Sequence, residues 1–414
     1  MLSRRNILTT AAAGALSTAA ARAATFGDPD QPAEGAVNVT NPRALADPGP
    51  QAPSLAGSEP AFQNPPPTDI NGMPQFWTSF NLAPKRIQNG GWARQITSDD
   101  FKISSTIAGV NMRLGRNGVR ELHWHQQAEW AVVTYGNCRI TILDQDGRPE
   151  VADLKEGDLW YFPAGLPHSL QGLDPDGTEF VIAFDKGDSS EFNTLLVTDW
   201  LAHTPPKVLA KNFGLPVDAF KNIPLQNKWI YQSNIPAPPL EKVEDQVAAA
   251  AGKPSNPYVF RAEDFKPLVD TKSGSVRLAD STNFLVSKTI AATAVTIKPG
   301  GLRDMHWHPN ADEWNYWIKG AGRVTVFNTG PQAITANFHP GDIGYVKKAF
   351  GHYVENIGDT DLVYMEVFRA DRFEEVSLSD WLAHSPIDMV AETLNIDSSL
   401  LAQIPKNRPD LVPA

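Results

Sequence analysis

Two short stretches of the chain hold the residues able to do chemistry. Residues 120–130 read Arg-Glu-Leu-His-Trp-His-Gln-Gln-Ala-Glu-Trp, and residues 303–314 read Arg-Asp-Met-His-Trp-His-Pro-Asn-Ala-Asp-Glu-Trp. The first offers His123, His125 and Glu129, the second His306, His308 and Glu313. A further histidine, His168 or His352, follows each glutamate after 39 residues. Side chains two apart on a strand share a face at a separation of roughly 7 Å. The paired imidazoles therefore converge while Trp124 and Trp307 face away. Each glutamate follows its first histidine by six residues in one copy and seven in the other, so a turn intervenes and the next strand returns it. Three imidazoles and a carboxylate suit a divalent transition metal, and on an octahedral ion they leave two positions open. Open positions point to a catalytic metal more than a structural one.

The elements that position these residues are also duplicated. Thr106-Ile107-Ala108 recurs as Thr289-Ile290-Ala291, and Gly157-Asp158 recurs as Gly341-Asp342, 28 residues past the glutamate each time. Asp199-Trp200-Leu201-Ala202-His203 returns as Asp380-Trp381-Leu382-Ala383-His384. A repeat kept over such lengths implies one scaffold used twice. Within each copy, short β-rich runs such as 139–143, 180–184, 323–327 and 362–368 alternate with Gly, Pro, Asp and Asn turns, which predicts an all-β-dominated pair of double-sheet barrels. Apolar residues at 208, 209 and 213, matched at 389, 390 and 394, follow helical spacing. Each barrel should thus end in a short helical appendage that packs on its own barrel or on a neighbouring copy.

The boundaries follow from composition. Met1–Ala23 has Arg4-Arg5, an alanine-rich run and Ala21-Arg22-Ala23, the pattern of a twin-arginine export signal. It implies a bacterial protein that is periplasmic or secreted. Residues 24–75, with Pro65-Pro66-Pro67, read as an extended arm without regular structure, lying on a partner surface. One barrel with its tail is expected over 76–235, a linker over 236–256 and the second barrel over 257–414. The formal charge of −11 becomes −14 once Arg4, Arg5 and Arg22 are removed, which argues against a nucleic-acid partner. No apolar run is long enough to span a membrane. The single cysteine, Cys138, excludes an internal disulfide and reads as a core residue.

The pattern His-x-His, three or four residues, Glu, and a distant His beyond a Gly-Asp strand resembles the cupins, and two copies make a bicupin with jelly-roll (double-stranded β-helix) barrels. From about residue 75 onward, Arg120–Trp130, Gly157–Pro163, Arg303–Trp314 and Gly351–Asn356 resemble the bacterial oxalate decarboxylases. That resemblance implies a lyase splitting oxalate into formate and carbon dioxide, with two manganese ions per chain and dioxygen as an unconsumed cofactor. It implies that His123, His125, Glu129 and His168 hold one manganese, and His306, His308, Glu313 and His352 the other. Arg120 and Arg303 match the family's substrate arginines. Physically, guanidinium suits an oxalate dianion entering a water-poor barrel. The family also implies a homotrimer or homohexamer.

The two copies differ where the outcome is decided. Phe184 to Trp200 spans 16 residues but Phe368 to Trp381 only 13. In the family this longer segment is a lid whose glutamate donates the proton to the carbon left behind, and Glu191 falls there. The family motif Ser-Glu-Asn-Ser-Thr appears as Ser190-Glu191-Phe192-Asn193-Thr194, so Phe192 and Asn193 depart from it. Glu366 is a second candidate acid, set in an apolar strand where burial raises a carboxyl's pKa. Two other outcomes carry distinct signatures: an oxalate oxidase yields peroxide, and a manganese-storing bicupin yields neither product.

Overall fold

The computed structural model describes residues 48–70, 72–330, 332–406 and 410–414. The export segment Met1–Ala23 and the first half of the arm lie outside them. Alternating apolar residues in short runs do what strand geometry requires: each run buries one face and closes on its neighbours. The result is two antiparallel barrels in tandem, as expected. The first is built on strands Ala108–Leu114, Gly118–Trp124, Glu129–Leu143, Leu159–Phe162, His168–Gly172 and Thr178–Phe184. The second repeats them as Ala291–Ile297, Leu302–Trp307, Glu313–Lys319 with Gly322–Asn328, Asp342–Val346, Gly351–Asn356 and Leu362–Phe368.

The barrels differ in how one strand passes a shared glycine position. In the first, the 15-residue strand Glu129–Leu143 bends at Gly136 and runs through both sheets. Its φ is +71°, and a Cβ there would sit 2.1 Å from the carbonyl oxygen of Gly177, so only glycine fits. In the second barrel the matching strand breaks at Gly320, φ +83°, and the two sheets stay separate.

The barrels are interlocked by reciprocal exchange of strands. Trp77–Ser79, which precedes the first barrel, pairs with Asp342–Val346 of the second. Val259–Phe260, which precedes the second, pairs with Leu159–Phe162 of the first. Side chains repeat the exchange: the Tyr161 hydroxyl lies 2.9 Å from Thr289 Oγ1, and the equivalent Tyr345 hydroxyl 2.8 Å from Thr106 Oγ1. A single apolar core, including Phe76, Trp130, Tyr161, Phe260, Trp314 and Tyr345, crosses the boundary. The expected divisions at 76 and 257 thus fall beside the exchanged strands, and each barrel takes an edge strand from the other's leader.

The arm differs from its expected form. Residues 53–58 and 60–63 are helical, and Ile70 pairs with Ala333. Asp69 accepts hydrogen bonds from the Thr335 backbone N–H and hydroxyl at 2.8 and 2.7 Å, and Glu59 accepts one from the Asn337 backbone N–H at 3.1 Å. The described part of the arm thus packs on this chain's own second barrel. Proline at the first position of each helix explains the departure, since it fixes φ where no N–H is needed. The expected linker similarly contains a helix, Leu240–Val247, set against strand Pro149–Lys155.

The helical appendages form as expected, with Pro206–Phe213 and Ile387–Leu394 burying Leu209 and Val390. Much of their apolar surface stays uncovered, including Val208, Phe213, Met389 and Leu394. Cys138 is buried in its strand, and burial pushes its thiol up to about 12, so it is an inert core residue. No helix among the described residues is long and apolar enough to cross a membrane. The exchanged strand offers a direct test. Phe76→Ala, which empties a fully buried site facing Phe338, should cost about 3–5 kcal/mol, measured by denaturant unfolding. A loss under 1 kcal/mol would show that the exchange is ornamental.

Candidate functional site

Each ligand set assembles inside its barrel as strand geometry requires. His123 lies on strand Gly118–Trp124, His125 just beyond it, Glu129 opens the next strand and His168 opens another. The intervening Trp124 turns outward onto Trp200, ring centres 5.6 Å apart. One donor atom from each of His123, His125, Glu129 and His168 lies within 4.8 Å of the others, and the same holds for His306, His308, Glu313 and His352. All eight residues are buried.

Backbone carbonyls fix the imidazoles. In the first barrel the Nδ1 atoms of His123, His125 and His168 donate to the carbonyls of Glu121, Gln127 and Leu166 at 2.6, 2.6 and 2.9 Å. In the second, those of His306, His308 and His352 donate to Asp304, Glu374 and Phe350 at 2.8, 2.9 and 3.0 Å. A carbonyl can only accept, so the proton resides on Nδ1 and each Nε2 presents a lone pair to the interior. In the second barrel all three Nε2 atoms and Glu313 Oε2 are buried without a hydrogen-bond partner. Glu313 Oε2 nevertheless sits 2.9 Å from His352 Nε2 and 3.2 Å from His308 Nε2. Lone pairs brought this close without protons require a cation between them, and the donor set fits a divalent metal.

Electrostatics favours neutral imidazoles at His123, His168 and His306. Burial, together with the nearby arginine, holds His123 and His306 well below their usual range, which keeps them neutral. Burial alone would raise Glu129, but His125 and His168 hold it well below the usual carboxylate range, and Glu313 is held down by His352 and His308. Burial opposes a charge on His308, yet contact with Glu313 raises it. Outer groups orient the carboxylates: Trp160 Nε1 donates to Glu129 at 2.8 Å, and Asn315 Nδ2 donates to Glu313 at 3.0 Å.

The predicted arginines line the same interiors in different company. Arg120 is buried, its Nη2 donating to Thr194 Oγ1 at 3.3 Å and lying 3.9 Å from Glu191. Burial lowers its pKa, with Glu191 opposing. Arg303 is fully buried among carboxylates: it bonds Glu375, donates to Asp304 at 2.9 Å and lies 4.0 Å from Glu366. Burial would lower Arg303, but Glu375, Glu366 and Asp304 raise it well above its usual value. Glu366 accepts from Thr293 and from the Tyr364 hydroxyl, and burial and Glu313 raise its pKa, as its apolar strand implied.

Glu191 is buried in a short 3-10 turn, Glu191–Asn193, and reaches into the first cavity with Arg120, His123, His125 and Glu129. Two residues there carried no sequence signal. Arg86, from strand Arg86–Gln88, bonds the Glu191 carboxylate, and its guanidinium lies 4.6 Å from the Trp229 ring centre. Trp229, at φ +50°, is held by Glu121, which accepts its backbone N–H at 2.7 Å. Phe192 then meets Trp229 edge-on at 6.0 Å. Glu375 was also missed, although a signal existed: it precedes Asp380-Trp381 by five residues as Thr194 precedes Asp199-Trp200, and the pairing of Val376 with Trp307 and of Leu195 with Trp124 puts Glu375 at the place of Thr194. With the turn in position, the first cavity measures ≈ 10 Å³ for the centres of water molecules, room for about one water.

The comparisons agree with this geometry. The cupin family profile matches residues 79–219 and 260–400. The chain is 44% identical over 348 residues to an oxalate decarboxylase of Bacillus subtilis (strain 168), covering 84% of this chain and 89% of that protein. It is 40% identical over 365 residues to a probable oxalate decarboxylase of Arthroderma benhamiae, covering 87% of each. A solved structure of the Bacillus subtilis enzyme, studied for its Mn(II) centres, superposes with a TM-score of 0.85 at 43% identity, covering 88% of this chain and 96% of that one. Two buried His₃Glu sets in interlocked barrels and likeness over nearly the whole length place this chain in the bicupin oxalate decarboxylase family.

Proposed function

We propose that this protein is a manganese-dependent oxalate decarboxylase that turns over at its first site. The observation that carries the proposal is the buried Glu191 carboxylate beside Arg120, facing the His123, His125, Glu129 and His168 set. Those four residues would hold manganese, as would His306, His308, Glu313 and His352. When bound with dioxygen as an unconsumed cofactor, the metal supplies the one-electron chemistry that weakens the carbon–carbon bond. The protein's part is positioning and proton delivery. Arg120, steadied by Thr194 and the Trp229 carbonyl, presents its guanidinium to an oxalate carboxylate. One carbon leaves as carbon dioxide, the bonding pair stays on the other, and that carbon becomes formate by taking a proton that the Glu191 carboxylate first draws from solvent and then delivers. With the turn in place the first cavity is only about one water in size, which supports a turn carrying Glu191 that lifts to admit each substrate.

The second site is less suited to turnover. Its arginine is already neutralised by Glu375 and Asp304, with Glu366 adjacent. An entering oxalate dianion would have to displace a carboxylate while facing two more. This supports a role for Glu366 and Arg303 in holding the second metal site.

The uncovered apolar faces of the appendages support a homotrimer or homohexamer, and sedimentation of the native protein as a monomer would contradict that assembly. The paired arginines of the leader support twin-arginine export to the periplasm or medium, with manganese loaded beforehand. Cell fractionation that finds the protein retained in the cytoplasm would exclude it.

The reaction is tested by assaying formate and peroxide together. Formate near one per oxalate with little peroxide is expected; peroxide without formate would make this an oxalate oxidase, and neither product would favour manganese storage. Glu191→Gln should lower the formate rate by about 10²-fold or more, and full retained activity would move the proton donor elsewhere. Phe192→Asn removes the edge-on contact with Trp229 and the contact with the Arg86 guanidinium, 5.7 Å from the Phe192 ring centre, together worth about 0.5–1.5 kcal/mol. It should loosen the lid by about 2- to 12-fold and raise the peroxide fraction.

A further inference from the structure

A second cluster of ligand-type side chains lies where the arm meets the second barrel, outside both barrel interiors. One donor atom from each of Glu59, His339 and Asp342 lies within 4.8 Å of the others. Glu59 is only 5% exposed, yet its Oε1 has no hydrogen-bond partner. Its other oxygen accepts the Asn337 backbone N–H. Asp342 Oδ2 accepts from Trp77 Nε1 at 3.1 Å and from the His339 backbone N–H at 2.8 Å, and lies 3.8 Å from His339 Nδ1. The imidazole side chain is 44% exposed, so solvent and ions reach it.

The duplicated architecture shows what is missing. In the first barrel the equivalent aspartate, Asp158, is paired with Arg261 at 3.0 Å, and Lys155, equivalent to His339, pairs with Glu263 at 3.2 Å. Arg261 comes from the exchanged leader strand, where the second barrel has Ser79 instead. The second barrel has thus lost both fixed cations and gained a carboxylate, Glu59, delivered by the arm. Among the described residues neither Glu59 nor Asp342 forms an ion pair with lysine or arginine. Burial, with repulsion from Asp342, pushes the Glu59 carboxyl up to about 8. A buried carboxyl with an orphan oxygen, beside a second carboxylate and an accessible imidazole, is the donor set of a cation site.

We infer that Glu59, Asp342 and His339 form a third divalent-cation site, of the zinc class, that staples the arm to the second barrel. Two carboxylate oxygens, one imidazole nitrogen and a solvent-facing fourth position match the ligand types and coordination number zinc accepts. Tetrahedral zinc bonds of ~2.0–2.2 Å put ligand atoms about 3.3–3.6 Å apart, so the donors, which lie within 4.8 Å of one another, need up to about 1.5 Å of side-chain closure. The site lies apart from the barrel ligands, and its existence does not depend on oxalate turnover.

The test uses the full chain loaded with manganese and dialysed against micromolar zinc, with both metals counted per chain. Wild type should retain its manganese and take up about one additional zinc. Glu59→Gln and His339→Gln should each abolish that increment while still producing formate, which shows them folded. Cobalt in place of zinc should give a visible absorption band in wild type that His339→Gln lacks. Equal zinc uptake by wild type and both variants would overturn the inference, as would zinc uptake matched by equal manganese loss.

Discussion

Everything in the two barrel interiors depends on where six protons sit. Each ligand histidine spends its Nδ1 proton on a backbone carbonyl of its own turn or of a neighbouring segment. The opposite nitrogens are left bare and converge on a buried carboxylate. That arrangement is costly for an empty protein, since buried lone pairs without partners forfeit their solvation. It becomes favourable only around a cation. The strands, the outward tryptophans and the turn between the second histidine and the glutamate all hold this convergence in place.

The duplicated ligand sets, the barrels and the helical tails were legible in the sequence because each rests on local periodicity. A His-x-His pair shares a face by strand geometry alone, and the equal 39-residue spacing reports a common scaffold. Glu366 could be read as a buried acid from its apolar neighbours. Arg86 could not, because nothing near residue 86 hints that it meets a carboxylate 105 positions later. The strand exchange was hidden for the same reason. A three-residue strand such as Trp77–Ser79 has no periodic signature of its own, and its pairing is decided by a surface formed far along the chain. The short helices of the arm were obscured by proline content, which reads equally as extended chain or helix start.

The contrast between the two arginines shows how one scaffold is tuned twice. A threonine at position 194 leaves the Arg120 guanidinium only lightly engaged, whereas a glutamate at the matching position 375 saturates Arg303. The ligand shells are almost unchanged. Availability of the guanidinium charge, more than the ligand shell, is what differs between the two interiors.

The strand exchange also constrains how the molecule can be made. Trp77 finds its partner Gly344 only after 267 more residues have been added. At synthesis rates of roughly 5–20 residues per second, that strand waits about 13–53 s without an edge to join. The first barrel likewise lacks its closing strand until Phe260 emerges. The first barrel therefore closes only once the ribosome has entered the second half, and the second barrel takes up a strand that was made long before it.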